Sequence, residues 1–401
     1  MELLIENIGQ LVTPRSEGTE LEVIEDAFVL IADEKIAALG PAVEAPRDFT
    51  GNRLDAHGGV VIPGLVDPHT HVVFAGTREE EFLRRCRGEP YTEGGIRTTV
   101  RHVRGASEAE IFQNSKEFLL RMLRRGTTTV EVKSGYGLEL EQELKLLRVI
   151  QRLNRELPLD LIPTFLGAHA VPEGWTSAAY TAEVVKMIPK VREEGLAEFC
   201  DVFCEPGFFS LAESEQVLRA CREAGLKLKI HADELQHSGG AELAARLGAV
   251  SADHLLKISD AGIAALREAG VVPVLLPATA FTLRTEYAPA RKLLDAGLPV
   301  ALATDFNPGT SLILSMPFVM ALAVLWMGMT IEEALIAATR NAAWALDRHD
   351  RGMLAPGMLA DLVVLKLENY KQLAYFIGHE PDTVRYVVKR GEVVFANPLA
   401  D

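Results

Sequence analysis

The sequence predicts an α/β fold, a (β/α)8 TIM-type barrel with a small composite β-sandwich domain formed from both termini. Three observations lead to it. Between Pro63 and Gly352, short apolar runs alternate with helical patterns, the rhythm of repeated βα units around a parallel sheet. Eight such runs can be counted, and eight βα units close naturally into a barrel. Both ends of the chain instead carry alternating, β-branched runs without long helical periodicity.

Taken along the chain, residues 1–62 contain LLIENIGQLV, AFVLIADEKIAALG and GGVVIP, β-like runs separated by turn residues. The barrel, residues 63–352, is assigned the strands GVVIPGLVD, TTTVEVK, LDLIPTF, EFCDVFC, LKLKIHA, AVSADHL, VVPVLLP and LPVALATD. Helices follow them, for example over Glu141 to Arg155 and over Glu242 to Leu247. After the turn-rich APGM at 355–358, DLVVLKL and VRYVVKRGEVVFANP return to β character. Residues 353–401 are therefore expected to complete the discontinuous domain begun by residues 1–62.

At 401 residues, 48% hydrophobic and 24% charged, the chain has the balance of a soluble globular protein with room for one large domain and one small one. A net charge of -15 opposes binding to a polyanion, so nucleic acid is not an expected partner. An anionic small substrate would need a local cationic pocket working against that field. No membrane partner is expected either. The most apolar stretch, Met316 to Met329, is short for a bilayer and contains Pro317, and the first residues carry acids with no basic start of a secretory signal. That stretch reads equally as core or as dimer surface, which leaves a homodimer open. Cys86, Cys200, Cys204 and Cys221 include no CxxC pair and point to reduced thiols in a cytoplasmic protein.

The first barrel run ends in LVDPHTH, which places His69 and His71 two residues apart. In an extended segment, residues i and i+2 face the same side, so both imidazoles can converge on one ion, and the preceding Asp67 strengthens that reading. His231, His254 and Asp305 occupy the equivalent ends of the fifth, sixth and eighth runs. A lone histidine at a strand end is more often a hydrogen-bonded structural residue. Four histidines and an aspartate at the barrel face where active sites assemble are hard to read that way. Nitrogen and carboxylate donors suit zinc, and also iron, manganese or nickel, so metal-assisted hydrolysis is the implied chemistry.

LVDPHTH, IHADE, ADHL and ATDFNPGT resemble the amidohydrolase superfamily over essentially the whole chain. Binuclear members of that superfamily bridge two ions with a carboxylated lysine at the end of the fourth strand, whereas FCDVFCE here has no lysine. The resemblance thus implies one zinc or iron ion per chain, held by His69, His71, His231 and Asp305. More specifically, FAGTREEEF, EVKSGYGL, FLGAHAVP, HADE and DFNPGT, in that order, resemble the imidazolonepropionases. That resemblance implies hydrolysis of the cyclic amide of 4-imidazolone-5-propanoate to N-formimidoyl-L-glutamate in histidine degradation. It implies Arg78, Tyr91, Tyr136, His169, Glu234, Asn307, Gly309 and Thr310 at the substrate, with Glu234, His254 and Asp305 as the catalytic groups. Between Tyr91 and the following glycine pair the chain is shorter than in that family.

The residue types agree with such a substrate. A propanoate tail needs a cation and hydroxyl donors, which Arg78 supplies as a charge-assisted fork and Tyr91 or Tyr136 as neutral donors. Taken alone, Arg78 followed by three glutamates reads as an ion pair at a helix start. Glu234, three residues after His231, can move protons without ligating. His254 can hydrogen-bond the ring carbonyl as charge develops there, and Asp305 can take a proton while ligating, so the division of acid and base work stays open. His57, His102, His237, His349 and His379 read as structural or exposed. Two other functions compete. A deaminase of cytosine or guanine type shares the barrel, the single metal and a His-x-x-Glu, but binds a neutral base edge. A metal-free assembly module would have lost ligands, and none is missing.

Overall fold

The computed structural model describes residues 2–88 and 94–398, and among them two eight-stranded sheets organise the chain. The N-terminal segment supplies β1 (Glu2–Pro14), β2 (Leu21–Ala32), β3 (Lys35–Pro41), β4 (Asn52–Asp55) and β5 (Val60–Pro63). The barrel follows with β6 (Leu65–Asp67), β7 (Thr127–Lys133), β8 (Asp160–Ala168), β9 (Phe199–Cys204), β10 (Lys227–Ala232), β11 (Ser251–His254), β12 (Val272–Leu275) and β13 (Ala301–Leu302). The chain then returns to the first sheet as β14 (Leu362–Leu365), β15 (Val384–Lys389) and β16 (Glu392–Ala396).

The two termini share one sheet because β14 pairs antiparallel with β5, setting Val363 against Ile62. Its ends curl toward each other. Ile36 N donates to Met358 O at 2.9 Å, and Arg390, between β15 and β16, reaches Glu34, between β2 and β3, at 2.8 Å. The sheet thereby wraps a small core of its own that includes Leu3, Ile5, Val29, Ile31, Leu362 and Val364. Lys389 fastens this domain to the barrel, donating to Asp361 at 2.6 Å and to Asp160 at the start of β8 at 2.8 Å.

The apolar run GVVIPGLVD divides between the two sheets. Val60–Pro63 joins the terminal sheet and Leu65–Asp67 opens the barrel. The pivot is Gly64, where a Cβ would overlap Thr128. Both halves are buried, so a continuous apolar pattern carries no mark of the division.

Barrel neighbours from β6 to β13 pair in parallel. The seam between β13 and β6 is closed by contacts just beyond the strands. Asp305 N donates to His69 O at 3.0 Å and His71 N to Phe306 O at 2.9 Å. Asp67 completes the seam, its carboxylate accepting from Thr304 Oγ1 at 2.6 Å and Thr304 N at 3.1 Å. Asp67 thus serves closure of the barrel, and closure is what brings Asp305 beside the two histidines.

The expectation of four reduced thiols is corrected for two of them. Cys200 in β9 and Cys221 in the helix Leu211–Glu223 are paired as a disulfide. The helix packs back on the strand that precedes it and brings the two Cα atoms 6.2 Å apart, a closeness that a separation of 21 residues does not signal. Cys86 is exposed and Cys204 buried, and both are free. The apolar stretch after Ser315 forms the helix Met316–Trp326, buried except toward Leu325 and Trp326. Among the described residues no helix is long and apolar enough to cross a membrane.

Candidate metal and substrate site

The strand ends converge as the alternation of their residues requires. His69 and His71 follow β6, His231 sits in β10, His254 ends β11 and Asp305 follows β13. The His69 ring centroid lies 4.5 Å from that of His231, 5.2 Å from His71 and 5.4 Å from His254. Asp305 Oδ1 is 3.6 Å from His69 Nε2 and 3.5 Å from His71 Nε2, while its other oxygen accepts from Thr279 Oγ1 at 2.6 Å. His69, His71 and His231 can each offer a nitrogen within 4.8 Å of the others, a spacing that a single ion can bridge. His254 and Asp305 hold left-handed backbone angles, φ 78° and 49°, a conformation non-glycine residues adopt sparingly.

Burial, reinforced by neighbouring positive charge, holds His69, His71 and His254 well below the usual imidazole range, so these rings are neutral. Neutral imidazole is the form that ligates. Burial also pushes the Asp305 carboxyl up to about 6. A direct test of fit comes from His69, whose Nδ1 meets Asp253 Oδ2 at 2.6 Å while its sealed Nε2 has no hydrogen-bond partner. Buried polar atoms rarely go unpaired, and this one points toward two further imidazoles and a carboxylate. The donor set fits a divalent transition metal. Asp233, His237 and Glu242 also lie close together, but Asp233 is occupied by the backbone N–H groups of Ser238, Gly239 and Ala241.

Glu234 overhangs this cluster because its loop is pinned on both sides. Glu205 accepts from Glu234 N at 2.6 Å, and Asp233 accepts from Ser238 N at 2.6 Å. The Glu234 carboxylate comes 3.5 Å from His254 Nδ1. Burial, with the charges of Asp305 and Glu205 added, holds the Glu234 carboxyl well above the usual carboxylate range. A carboxyl tuned upward beside a candidate metal centre suits proton transfer near neutrality.

Against the cluster lies a cavity of about 150 Å³ whose wall includes His71, Arg78, Tyr136, His169, His231, Glu234, His254, Asp305, Asn307 and Thr310. Arg78 forms the ion pair expected of a helix start and also lines the cavity, its Nε and Nη2 reaching Glu81 at 3.0 and 2.5 Å. Tyr136 rides on a loop held by Glu143, whose carboxylate accepts from the backbone N–H of Gly135, Gly137 and Leu138 at 2.9, 2.8 and 2.8 Å. His169 Nδ1 donates to Gly135 O at 2.9 Å, leaving Nε2 as an acceptor, and the ring stacks on His71 at 4.9 Å. Burial, then the nearby His231, lowers His169 to about 3.

The eighth-strand loop behaves less simply than expected. Asn307 lines the cavity, yet its amide organises the loop, accepting from Gly309 N at 2.8 Å and Thr310 N at 2.7 Å and donating to Asp305 O at 2.7 Å. Gly309 packs against Arg78, where a Cβ would overlap the guanidinium. Tyr91 lies outside the described residues. Sequence reasoning missed the apolar wall of Ile96, Phe203, Phe208 and Leu283, because apolar residues near strand ends read as ordinary core. A larger, shallower cleft of about 760 Å³, lined by Ala75, Arg101, His102 and Glu110, lies outside the barrel mouth and gathers no comparable cluster.

The barrel, the converged histidines and the overhanging carboxylate form a candidate metal site, and the profile described as "Amidohydrolase family" matches residues 60–394. The chain belongs to the amidohydrolase family. It is 50% identical over 392 residues to the imidazolonepropionase of Haloarcula marismortui, covering 95% of this chain and 93% of that one. It is 49% identical over 394 residues to the imidazolonepropionase of Geobacillus kaustophilus, with 95% and 92% covered. Among solved structures it superposes on an adenosine deaminase from Xanthomonas campestris with bound zinc at a TM-score of 0.74 and 21% identity, covering 98% and 93% of the two chains.

Proposed function

We infer that the protein acts as an imidazolonepropionase, opening the cyclic amide of 4-imidazolone-5-propanoate to give N-formimidoyl-L-glutamate in histidine degradation. The observation that supports this best is a single cavity with the sealed His–Asp cluster on one wall and the buried Arg78 guanidinium on another. The guanidinium is paired with Glu81 on one side, and a propanoate tail would add a second carboxylate from the cavity side, where a neutral base offers no charge. The fold by itself is shared with an adenosine deaminase, and the half-identical imidazolonepropionases support the present reading over a deaminase.

His69, His71, His231 and Asp305 would hold one zinc or iron ion, which would supply Lewis acidity for amide hydrolysis. The chain's own groups do the rest. Arg78 takes the carboxylate, and Tyr136 and His169 flank the ring. Glu234 and Asp305, whose carboxyls sit above the usual range, carry the proton that water loses to the ring nitrogen as the amide C–N bond breaks. The water oxygen ends on the former carbonyl carbon. His254, facing Glu234, donates toward the carbonyl oxygen as charge develops on it.

Incubation of the purified protein with freshly made imidazolonepropanoate should consume the substrate and release N-formimidoylglutamate, followed by mass spectrometry. Inertness toward it, with turnover of guanine or cytosine instead, would replace this reading. Elemental analysis should approach one metal equivalent per chain, and two equivalents required for full activity would overturn a mononuclear site. Arg78→Met should lower kcat/KM at least tenfold, since a buried charge-assisted contact contributes roughly 1.5–3 kcal/mol, while leaving metal content unchanged. A ring analogue without the carboxylate should lose far less. Equal losses on both compounds would show that the tail is held elsewhere.

A further inference from the structure

Beneath the histidine cluster the barrel interior carries five charged side chains, Glu131, Lys133, Asp201, Lys229 and Asp253, all fully buried. They come from inward-facing positions of β7, β9, β10 and β11. Lys133 Nζ donates to Glu131 at 2.8 Å and Asp201 at 2.7 Å, and Lys229 Nζ donates to Glu131 at 2.8 Å and to Pro68 O at 2.7 Å. Asp253 Oδ2 lies 3.7 Å from Lys133 Nζ and 3.8 Å from Lys229 Nζ. Burying such a cluster carries a large desolvation cost that apolar side chains of similar volume would avoid. Its geometry shows what it does for the layer above.

We propose that Asp253, fastened by the ammonium groups of Lys133 and Lys229, is the positioning residue of the metal site, holding His69 as the tautomer whose Nε2 faces the ion. Asp253 Oδ1 accepts from Ser251 Oγ at 2.6 Å, and Oδ2 meets His69 Nδ1 at 2.6 Å. An ionised carboxylate has no proton to give, so His69 Nδ1 carries the hydrogen and Nε2 keeps a bare lone pair. That nitrogen is the buried atom without a partner, turned toward His71, His231 and Asp305. The two ammonium groups stand 3.7 and 3.8 Å from that same oxygen and complement a carboxylate there. Lys229 adds a second constraint, because the Pro68 carbonyl it binds belongs to the residue before His69. A carboxylate behind a ligating imidazole fixes the ring and raises its basicity.

The inference rests on the metal-site reading above. Its test uses the full chain, with metal affinity measured by competition against a chelator and the His69 tautomer read from ¹⁵N spectra of the metal-free protein. In the wild type, His69 should appear as the Nδ1–H tautomer. Asp253→Ala should mix the tautomers and weaken metal affinity by about 10–100-fold, the usual cost of losing such a partner. Asp253→Asn, which keeps the shape and removes the charge, should weaken affinity in the same direction and decides the matter if the alanine variant does not fold. Lys229→Met should do likewise. Folded variants with wild-type affinity and an unchanged His69 tautomer overturn the proposal, whatever their thermal stability. A wild-type chain that takes up no metal defeats the functional reading instead, so the two failures are distinct.

Discussion

His231→Ala is expected to leave the chain folded, without its metal and without measurable turnover. The ring is one of three imidazoles that can present nitrogens within 4.8 Å of one another, and its centroid is 4.5 Å from that of His69. Its removal leaves two histidines and Asp305, an incomplete set for an ion that takes four ligands. The fold should tolerate the change. Asp201, which lies 2.9 Å from His231 Nδ1, keeps its ion pair with Lys133 at 2.7 Å and is not left as an uncompensated charge. Loss of a Lewis acid that contributes several kcal/mol to the transition state corresponds to at least about a thousandfold in rate. Elemental analysis, far-UV circular dichroism and the ring-opening assay on one preparation check the three parts together. Chelated wild-type protein should match the variant in activity. A folded His231→Ala protein that keeps a full metal equivalent and turns over substrate would remove His231 from the ligand set.

The parts of this site that could be read from the residues are those that obey a strict local period. His69 and His71 converge because strand geometry sends alternate residues to one side, and the strand-end positions of His231, His254 and Asp305 follow from barrel topology. What could not be read depends on contacts between distant segments. The division at Gly64, the closure of the seam by Asp67 and Thr304, and the approach of Cys221 to Cys200 leave no periodic trace. The charged layer under the metal site is visible in the residues, but its kind is not. Glu131 and Lys133 in TTTVEVK, and Lys229 in LKLKIHA, look like the solvent face of alternating strands, yet every residue of TTTVEVK is buried. In a closed barrel the second face is the interior, so an alternating charge marks an internal network. Arg78 shows the reverse limit, because its ion pair with Glu81 was the ordinary reading and turned out to be part of the cavity wall.

Glu234→Gln is expected to retain the metal and lose turnover by about 10²–10⁴-fold, the range that general acid–base catalysis contributes. The substitution keeps the shape of the side chain. The backbone that places it is also kept, since the Glu205 and Asp233 contacts are made by main-chain N–H groups of the loop. What is lost is a group able to both accept and release a proton. Burial and the neighbouring charges of Asp305 and Glu205 raise its pKa, so both protonation states are accessible closer to neutrality than for an ordinary glutamate. The amide can do neither step. KM should change little, because the proposed function assigns substrate placement to Arg78 and the walls of the cavity, and the deficit should fall on kcat. The pH profile separates this role from a structural one. The wild-type limb that reports Glu234 ionisation should be missing from the residual activity of the glutamine variant. If Glu234→Gln sheds its metal as fully as His231→Ala does, the carboxylate belongs among the ligands, and the proton must be carried by Asp305 and His254.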